Sequence, residues 1–231
     1  MEGTTALTIA VLGAESTGKT TLAKALAEQL GACTGLATTW VPESLRAWCE
    51  REGRTPRADE QAGIAALQRE AIEAAARQHP IVVCDTTPLM TAVYSRLLFA
   101  DASLDAAALA FQHRCSLTLV TALDLPWQAD GWMRDGPQVR TPVDDLLRRL
   151  LHEHAVPWSA VGGRDTVRLD RALAAAMPLL RRHGLPVRND GLFTRLQTRG
   201  RDADSSSAAS AAPWCQLCDD ADCEHRSRRA R

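Results

Sequence analysis

One short segment of this sequence has the residue types and the spacing that are needed to hold a phosphate chain. Residues 13–20 read GAESTGKT, a full match to the pattern G-x-x-x-x-G-K-[ST]. Gly13 and Gly18 allow backbone angles that turn successive N–H groups toward one anion, and the helix expected next points its positive end at the same place. Lys19 is predicted to bridge the β- and γ-phosphates, and the Thr20 hydroxyl to bind Mg²⁺.

Lysine is otherwise scarce in the chain, which sharpens this prediction. Lys19 and Lys24 are the only two lysines, and arginine supplies the remaining positive charge. A compact ammonium therefore stands where a side chain must reach between phosphates. The alternative is a structural glycine-rich turn, and Thr21 is interpreted as a first-turn helix residue rather than a second metal ligand. The predicted nucleotide contacts in this segment are Gly13, Glu15, Ser16, Thr17, Gly18, Lys19, Thr20 and Thr21.

Two carboxylates follow apolar runs of the kind that form buried strands. Glu43 follows residues 37–41, with Arg46 beside it as a candidate substrate contact, and Asp85 follows residues 81–84. Asp85 has the form of the acidic residue that ends a Walker B strand and holds Mg²⁺, and either carboxylate is a candidate to orient an acceptor hydroxyl and take its proton. The alternatives are a helical ion pair between Glu43 and Arg46, and a helix cap at Asp85.

Residues 124–140 are dense in Gly, Pro, Trp and Arg and lack apolar periodicity. This composition favours a lid, in which Arg134 and Arg140 neutralise the charge of the transferring phosphoryl group. Trp127 and Asp130 are its candidate substrate contacts. The alternative is that both arginines pair with aspartates on the surface.

Gly163 and Arg164 follow the last strand-like segment and are candidates for binding adenine. A glycine lets a flat ring approach the backbone, and an arginine can stack on that ring. An ordinary turn is the competing interpretation. Tryptophans are frequent in the segments expected at this edge, where they would grip a flat ring or simply pack in the core. These tryptophans are Trp40, Trp48, Trp127 and Trp132.

Strand-like and helical segments alternate, which predicts an α/β fold with a five-stranded parallel sheet and helices on both faces. Ligands bind such sheets at the carboxyl ends of the strands, where the candidate residues lie. The predicted strands are 7–12, 37–41, 81–84, 117–122 and 156–161. The predicted helices are 20–30, 57–78, 88–99, 104–113, 142–154 and 165–180.

The last part of the chain differs in composition, so the predicted domain covers 1–198, a flexible linker 199–213 and a Cys/His-rich tail 214–231. The tail offers three thiolates and one imidazole, a complete tetrahedral set for structural zinc, against the alternative of exposed reduced thiols. These ligands are Cys215, Cys218, Cys223 and His225. The four other cysteines are scattered and are interpreted as reduced.

Bulk properties exclude several classes of protein. The 231 residues carry a net charge of −1, which argues against a general nucleic-acid or membrane surface. No apolar run is long enough to span a membrane and the N-terminus lacks a signal-peptide pattern, so a cytoplasmic location is expected. The sequence does not determine the oligomeric state, and a homo-oligomer is compatible with it.

Taken together, the motifs resemble the NadR-type ribosylnicotinamide kinases. The likeness is carried by the loop at 13–20, the V-P-E-x-x-R stretch from Val41 to Arg46, the strand end at Asp85 and the D-L-P-W-x-x-D-G-x-x-R-D-G stretch at 124–136. It implies a P-loop kinase-like three-layer sandwich that uses ATP and Mg²⁺ to phosphorylate the 5′-hydroxyl of nicotinamide riboside in NAD biosynthesis. The adenylyltransferase motif H-x-G-H of the fused members is absent from this sequence.

Two other hypotheses accompany this one. The first is a kinase for another nucleoside or small metabolite. The second is a regulatory P-loop ATPase or nucleotide sensor, in which the Cys/His tail docks a protein or a nucleic acid. The two classes differ in whether an added metabolite accelerates the consumption of ATP.

Overall fold

Five parallel strands form the centre of the molecule, in the order β2-β3-β1-β4-β5. The structure is a computed structural model that describes residues 6–128 and 136–187. The strands are β1 (Leu7–Leu12), β2 (Thr38–Val41), β3 (Ile81–Asp85), β4 (Leu117–Thr121) and β5 (Ser159–Val161). The predicted five-stranded parallel sheet is confirmed, and only β5 is clearly shorter than the sequence pattern indicated.

The sheet is covered on both faces. Successive residues of β1 point to opposite faces, yet Ile9 and Val11 on one face and Ala10 and Leu12 on the other are fully buried. Parallel strands of this kind are continuous apolar runs because helices lie on either side of them. The architecture is therefore the predicted three-layer sandwich.

Seven α-helices surround the sheet within the described residues. They are α1 (Lys19–Thr34), α2 (Ser44–Glu52), α3 (Gln61–Ala76), α4 (Pro88–Phe99), α5 (Asp105–Gln112), α6 (Arg140–Glu153) and α7 (Asp165–Arg182). One of them, α2, was not among the predicted helices, because its alternating charges give only a short apolar face around Trp48 and Cys49. Within the part of the chain that is described, no helix has the length and apolar character needed to cross a membrane.

The strand order determines where a ligand binds. The chain leaves β1 toward the β2–β3 side of the sheet and later crosses to β4 on the other side of β1. At such a reversal the connections after β1 diverge and leave a crevice beyond the carboxyl ends of the strands. The loop at 13–20 and Asp85 both stand at this edge, because Val11 is paired with Asp85 in the parallel register.

Candidate active site

A cleft of about 1200 Å³ opens at the carboxyl ends of the central strands. Its walls combine the glycine-rich loop and the start of α1 with Asp85 of β3, the β2–α2 turn and the start of α7. The predicted site residues that line it are Ser16, Thr17, Gly18, Lys19, Thr20, Thr21, Glu43, Arg46, Asp85 and Arg164. Residues from three separate predictions thus meet in one cavity.

The loop has the backbone conformation that its glycines predict. Gly13 has φ 145° and Gly18, the N-cap of α1, has φ 76°. A Cβ on Gly13 would collide with the Thr121 hydroxyl behind the loop. The Lys19 ammonium donates to the Ala14 carbonyl at 2.8 Å, which keeps the cation inside the loop's own concavity. Backbone amides and a cation are therefore gathered at the positive end of α1.

A threonine of the loop and the acid at the end of β3 are in direct contact. Thr20 Oγ1 donates to Asp85 Oδ2 at 2.5 Å, while the buried Asp85 Oδ1 has no hydrogen-bond partner within the described structure. Burial raises the pKa of Asp85, and the Thr20 hydrogen bond and the charge of Lys19 oppose that rise. A hydroxyl and a carboxylate with a spare oxygen form a donor set that suits Mg²⁺.

The alternative role of Asp85 as a helix cap is wrong. The N-cap of α4 is Thr87, whose side chain accepts a hydrogen bond from the Leu89 amide at 3.3 Å. Thr87 also donates to Gln112 at 2.7 Å, so it is held on both sides. The carboxylate of Asp85 is consequently left to face the loop.

Glu43 stands at the end of β2, on the opposite wall of the cleft. The turn that presents it is fixed by Gln68, which accepts the Ser44 amide at 2.6 Å and donates to the Pro42 carbonyl at 3.3 Å. Burial raises the pKa of Glu43, and Lys19 lowers it by a smaller amount. Further contributions come from the charges of Asp85, Arg46 and Glu15. Four charged side chains therefore act electrostatically on Glu43.

Glu15 differs from the rest of the loop. Its Oε2 is buried and has no hydrogen-bond partner among the described residues. Because Glu15 contributes to the raised pKa of Glu43, its charge acts on the acceptor side of the loop. Glu15 is not among the cleft-lining residues, and its predicted contact with the nucleotide stays a prediction.

The predicted lid is described only at its two ends. Ser16 Oγ accepts the Gln128 amide at 2.8 Å, which ties the start of this segment to the glycine-rich loop. Arg140 is the first residue of α6, is only 8% exposed, and donates to the Leu125 carbonyl at 2.9 Å. Arg140 is not among the cleft-lining residues of the described structure, so a catalytic role for it remains a prediction.

Several other predictions about this segment are tested only in part. Trp127 lies between the lining residues Pro126 and Gln128, but it is not itself a lining residue. Its indole N–H is buried and has no hydrogen-bond partner within the described ranges. Asp130, Trp132 and Arg134 fall outside the described residues.

The tail also falls outside the described residues, including its proposed zinc ligands Cys215, Cys218, Cys223 and His225. Within 6–128 and 136–187, no group of three or more His, Cys, Asp or Glu side chains is arranged to hold a metal ion. The zinc prediction concerns residues beyond these ranges and stays a prediction.

The β5–α7 turn supplies the remaining wall of the cleft. Gly163 has φ 97°, a conformation that favours glycine, and Arg164 is the exposed N-cap of α7. The Gly163 amide donates to Asp124 at 2.5 Å, so this turn is bonded to the segment after β4. Arg164 lines the cleft and Gly163 does not, so their predicted contact with adenine stays a prediction.

Lys24 and Arg168 are among the cleft residues that no sequence pattern identified as part of the site. Lys24, the second lysine, places its ammonium 4.6 Å from the centre of the Trp40 ring, and both side chains line the cleft. Arg168 of α7 is 4% exposed and reaches the glycine-rich loop through the Thr17 carbonyl. A signal for Arg168 was present, because it lies on the buried face of α7 together with Ala172 and Ala176.

Comparisons with known proteins give one matching family model and several solved structures with a similar fold. The family model of the AAA domain matches residues 8–168. Two crystal structures of NadR protein, one in complex with NAD and AMP-PNP and one with NR, align over 75% of this chain at 22% identity, with TM-scores of 0.60 and 0.62. This chain spans only about half the length of those NadR chains, 49% and 50%.

A third structure, thymidylate kinase from Ehrlichia chaffeensis, aligns over 74% of this chain and 98% of its own at 18% identity, with a TM-score of 0.53. No curated protein matches the sequence. At these identities the structural likeness shows the fold, and the resemblance to NadR drawn from the motifs is confirmed at that level.

Proposed function

This chain belongs to the AAA domain family, and on that premise we propose that it is a kinase that transfers the terminal phosphoryl group of ATP to a nucleoside. The observation that carries the proposal is the contact between Thr20 and Asp85 at the mouth of the glycine-rich loop. It joins the two parts that a phosphoryl-transfer site requires, a cradle for the phosphates and an oxygen site for the metal.

Each residue of the cradle has a distinct task. The Gly18 amide and the positive end of α1 bind the phosphate chain, and Lys19 neutralises charge on its terminal group. Thr20 and Asp85 would hold Mg²⁺, which offsets the negative charge of the phosphates when it is bound. Positioning and charge compensation account for most of the catalysis expected of such a site.

The acceptor hydroxyl is assigned to Glu43. Asp85 is already engaged with Thr20, whereas Glu43 stands at the end of the neighbouring strand across the cleft. Burial raises the pKa of Glu43 toward the range in which a carboxylate accepts a proton efficiently. Glu43 would therefore orient the hydroxyl and take its proton as the phosphoryl group is transferred.

Nicotinamide riboside is the acceptor that we propose first. The motif resemblance and the NadR structure in complex with NR support it. The product of the reaction would then be nicotinamide mononucleotide.

A nucleoside monophosphate is a second candidate acceptor. Lys24 and Arg46 line the same cleft as the carboxylates and could bind an acceptor phosphate. The likeness to thymidylate kinase agrees with this alternative. Nicotinamide riboside carries a positive charge on its ring, whereas a nucleoside monophosphate carries negative charge on its phosphate. One assay that offers both acceptors shows which of them is phosphorylated.

The test is ATP consumption by the full chain against a panel of nicotinamide riboside, common nucleosides and their monophosphates. The proposal expects one acceptor to accelerate consumption and to yield one phosphorylated product per ATP, identified by mass spectrometry. Acceleration by a monophosphate alone would transfer the assignment to the second candidate. If no acceptor accelerates consumption, the kinase proposal fails and a nucleotide sensor becomes the better hypothesis.

A further inference from the structure

One buried arginine connects the glycine-rich loop with two other walls of the cleft. Arg168 donates from Nη1 to the Thr17 carbonyl at 2.5 Å and from Nε to the Gly163 carbonyl at 2.8 Å. Its Nη2 donates to Asp124, whose other carboxylate oxygen accepts the Gly163 amide. Three chain segments that are far apart in sequence therefore meet at one guanidinium.

The bond to Thr17 has a consequence for the phosphate cradle. A trans peptide is planar, so the carbonyl of Thr17 and the amide N–H of Gly18 point in opposite directions. Arg168 holds that carbonyl toward α7, and the amide of Gly18, which is a cleft-lining residue, faces the other way. Fixing the carbonyl thus fixes the direction of an N–H group that belongs to the anion-binding loop.

Without such a restraint this peptide would be free to rotate. Gly18 has φ 76° and lacks a side chain that would resist rotation. The Thr17 side chain is also anchored, through Ala14 at 2.8 Å and Thr121 at 2.7 Å, but these bonds act on the hydroxyl and not on the Thr17 carbonyl. Arg168 is the residue of the described structure whose side chain bonds that carbonyl.

We propose that Arg168 is a positioning residue that aims the Gly18 amide at the bound phosphates, and that Asp124 holds Arg168 in place. The inference deepens the proposed function, since it rests on phosphate binding by this loop. A guanidinium suits the task because its planar fork donates to three acceptors at once, whereas an ammonium on a flexible stem does not. Arg168 also lines the cleft, but its described bonds go to Thr17, Gly163 and Asp124, and it is not itself assigned to the phosphates.

The test compares binding of ATP with binding of inorganic tripolyphosphate, which probes the cradle without a base. Titration calorimetry is carried out on the full chain and on the variants R168K and D124N. The matched control is R148K, which alters an arginine paired with Asp144 at 2.6 Å on α6, away from the cleft. Circular dichroism confirms that each variant is folded.

We expect R168K to weaken the binding of ATP and of tripolyphosphate by the same factor, about tenfold or more. This factor corresponds to the loss of one well-placed donor to a charged phosphate, the Gly18 amide. D124N should weaken both by at least about threefold, because an amide offers one oxygen where the carboxylate offers two. R148K should match the wild type. A merely structural role of Arg168 would lower the melting temperature and leave the tripolyphosphate affinity of the folded variant unchanged.

The inference is overturned if folded R168K binds tripolyphosphate within about twofold of the wild type. It is also overturned if the binding of ATP weakens while the binding of tripolyphosphate does not, because Arg168 would then affect only the base of the nucleotide. Should R168K fail to fold, D124N decides by the same criterion. Tripolyphosphate binding requires no acceptor, so a failure of the kinase proposal in the acceptor panel would be recognised separately.

Discussion

Thr20 and Asp85 lie 65 positions apart in the sequence, yet their side-chain oxygens are in contact at 2.5 Å. The contact exists because β1 and β3 are parallel neighbours whose carboxyl ends meet at one edge of the sheet. It also has an energetic cost, since burial disfavours the ionised form of Asp85 and raises its pKa. Such a carboxylate serves chemistry rather than stability, and its removal tests that distinction.

We expect Asp85→Asn to separate activity from stability. The neutral amide removes a buried charge whose pKa is raised, so the free energy of unfolding at neutral pH should be unchanged or higher. Turnover should fall by about 10²-fold or more, because the oxygen set for the metal is incomplete. Urea denaturation and ATP consumption measure the two effects, with the exposed Asp145→Asn on α6 as control. Equal loss of stability and turnover would contradict this prediction.

Lysine substitutions test the phosphate cradle, because the chain has only two lysines and both line the cleft. Lys19→Ala should lower turnover by about 10²- to 10³-fold with little change in melting temperature, since a transition-state contact is lost. Lys24→Ala should leave ATP affinity unchanged, because that ammonium packs on Trp40 rather than in the loop. Similar losses of ATP affinity in both variants would disprove the separate roles.

The pH dependence of the reaction should report Glu43. Its pKa lies above the ordinary value of 4.5 because of burial, and it must be ionised to accept a proton. Turnover should therefore rise with pH along an acid limb centred above that value. Glu43→Gln should lower turnover by about 10²- to 10⁴-fold and abolish that limb. Persistence of the same limb in the variant would assign it to another group.

The same shift predicts a change in stability with a defined sign. A carboxyl whose pKa is raised by folding destabilises the folded state when it is ionised, at pH values above its folded pKa. Glu43→Gln should accordingly be more stable than the wild type at neutral pH, and the difference should shrink as the pH falls through the raised pKa. Denaturation curves at several pH values measure this difference.

Much of the site could be predicted because it follows directly from strand ends. The glycine-rich loop, Glu43 and Asp85 each come after an apolar run, and parallel strands bring their carboxyl ends to one edge. Local pattern therefore placed these residues together without any knowledge of side-chain contacts.

Other features depend on tertiary contacts that no local pattern encodes. Arg140 reads as a lid residue, but α6 begins at this position and the side chain is buried against the Leu125 carbonyl. Arg168 has the appearance of a surface charge unless its buried neighbours on α7 are considered, and two of its partners, Thr17 and Asp124, come from distant segments. Helix α2 has too little apolar periodicity to be found before its packing partner Ile64 is known.

Removing residues 202–231 should change kinase activity by less than about twofold. Met1–Arg188 forms one compact unit, and the cleft-lining residues that the structure describes all belong to it. The measurement is ATP consumption by the truncated chain with its best acceptor, beside the full chain at equal concentration. A large loss would assign the tail a part in catalysis.

The support behind the loop can be tested by a double-mutant cycle between Gly13 and Thr121. The Thr121 hydroxyl occupies the space that a Cβ on Gly13 would need, bonds Thr17 at 2.7 Å and donates to the Leu12 carbonyl at 3.1 Å. Gly13→Ala should cost about 1–3 kcal/mol through this collision and through φ 145°. Thr121→Ala should cost about 1–2 kcal/mol through its lost hydrogen bonds.

The double variant distinguishes the two sources of strain at Gly13. It removes the collision but keeps the unfavourable φ, so its cost should fall below the sum of the single costs by about 1 kcal/mol. Additive costs would mean that the backbone angle alone excludes a side chain at this position. Because the hydroxyl also anchors Thr17, nucleotide affinity should fall in all three variants, and calorimetric titration with an ATP analogue measures that loss.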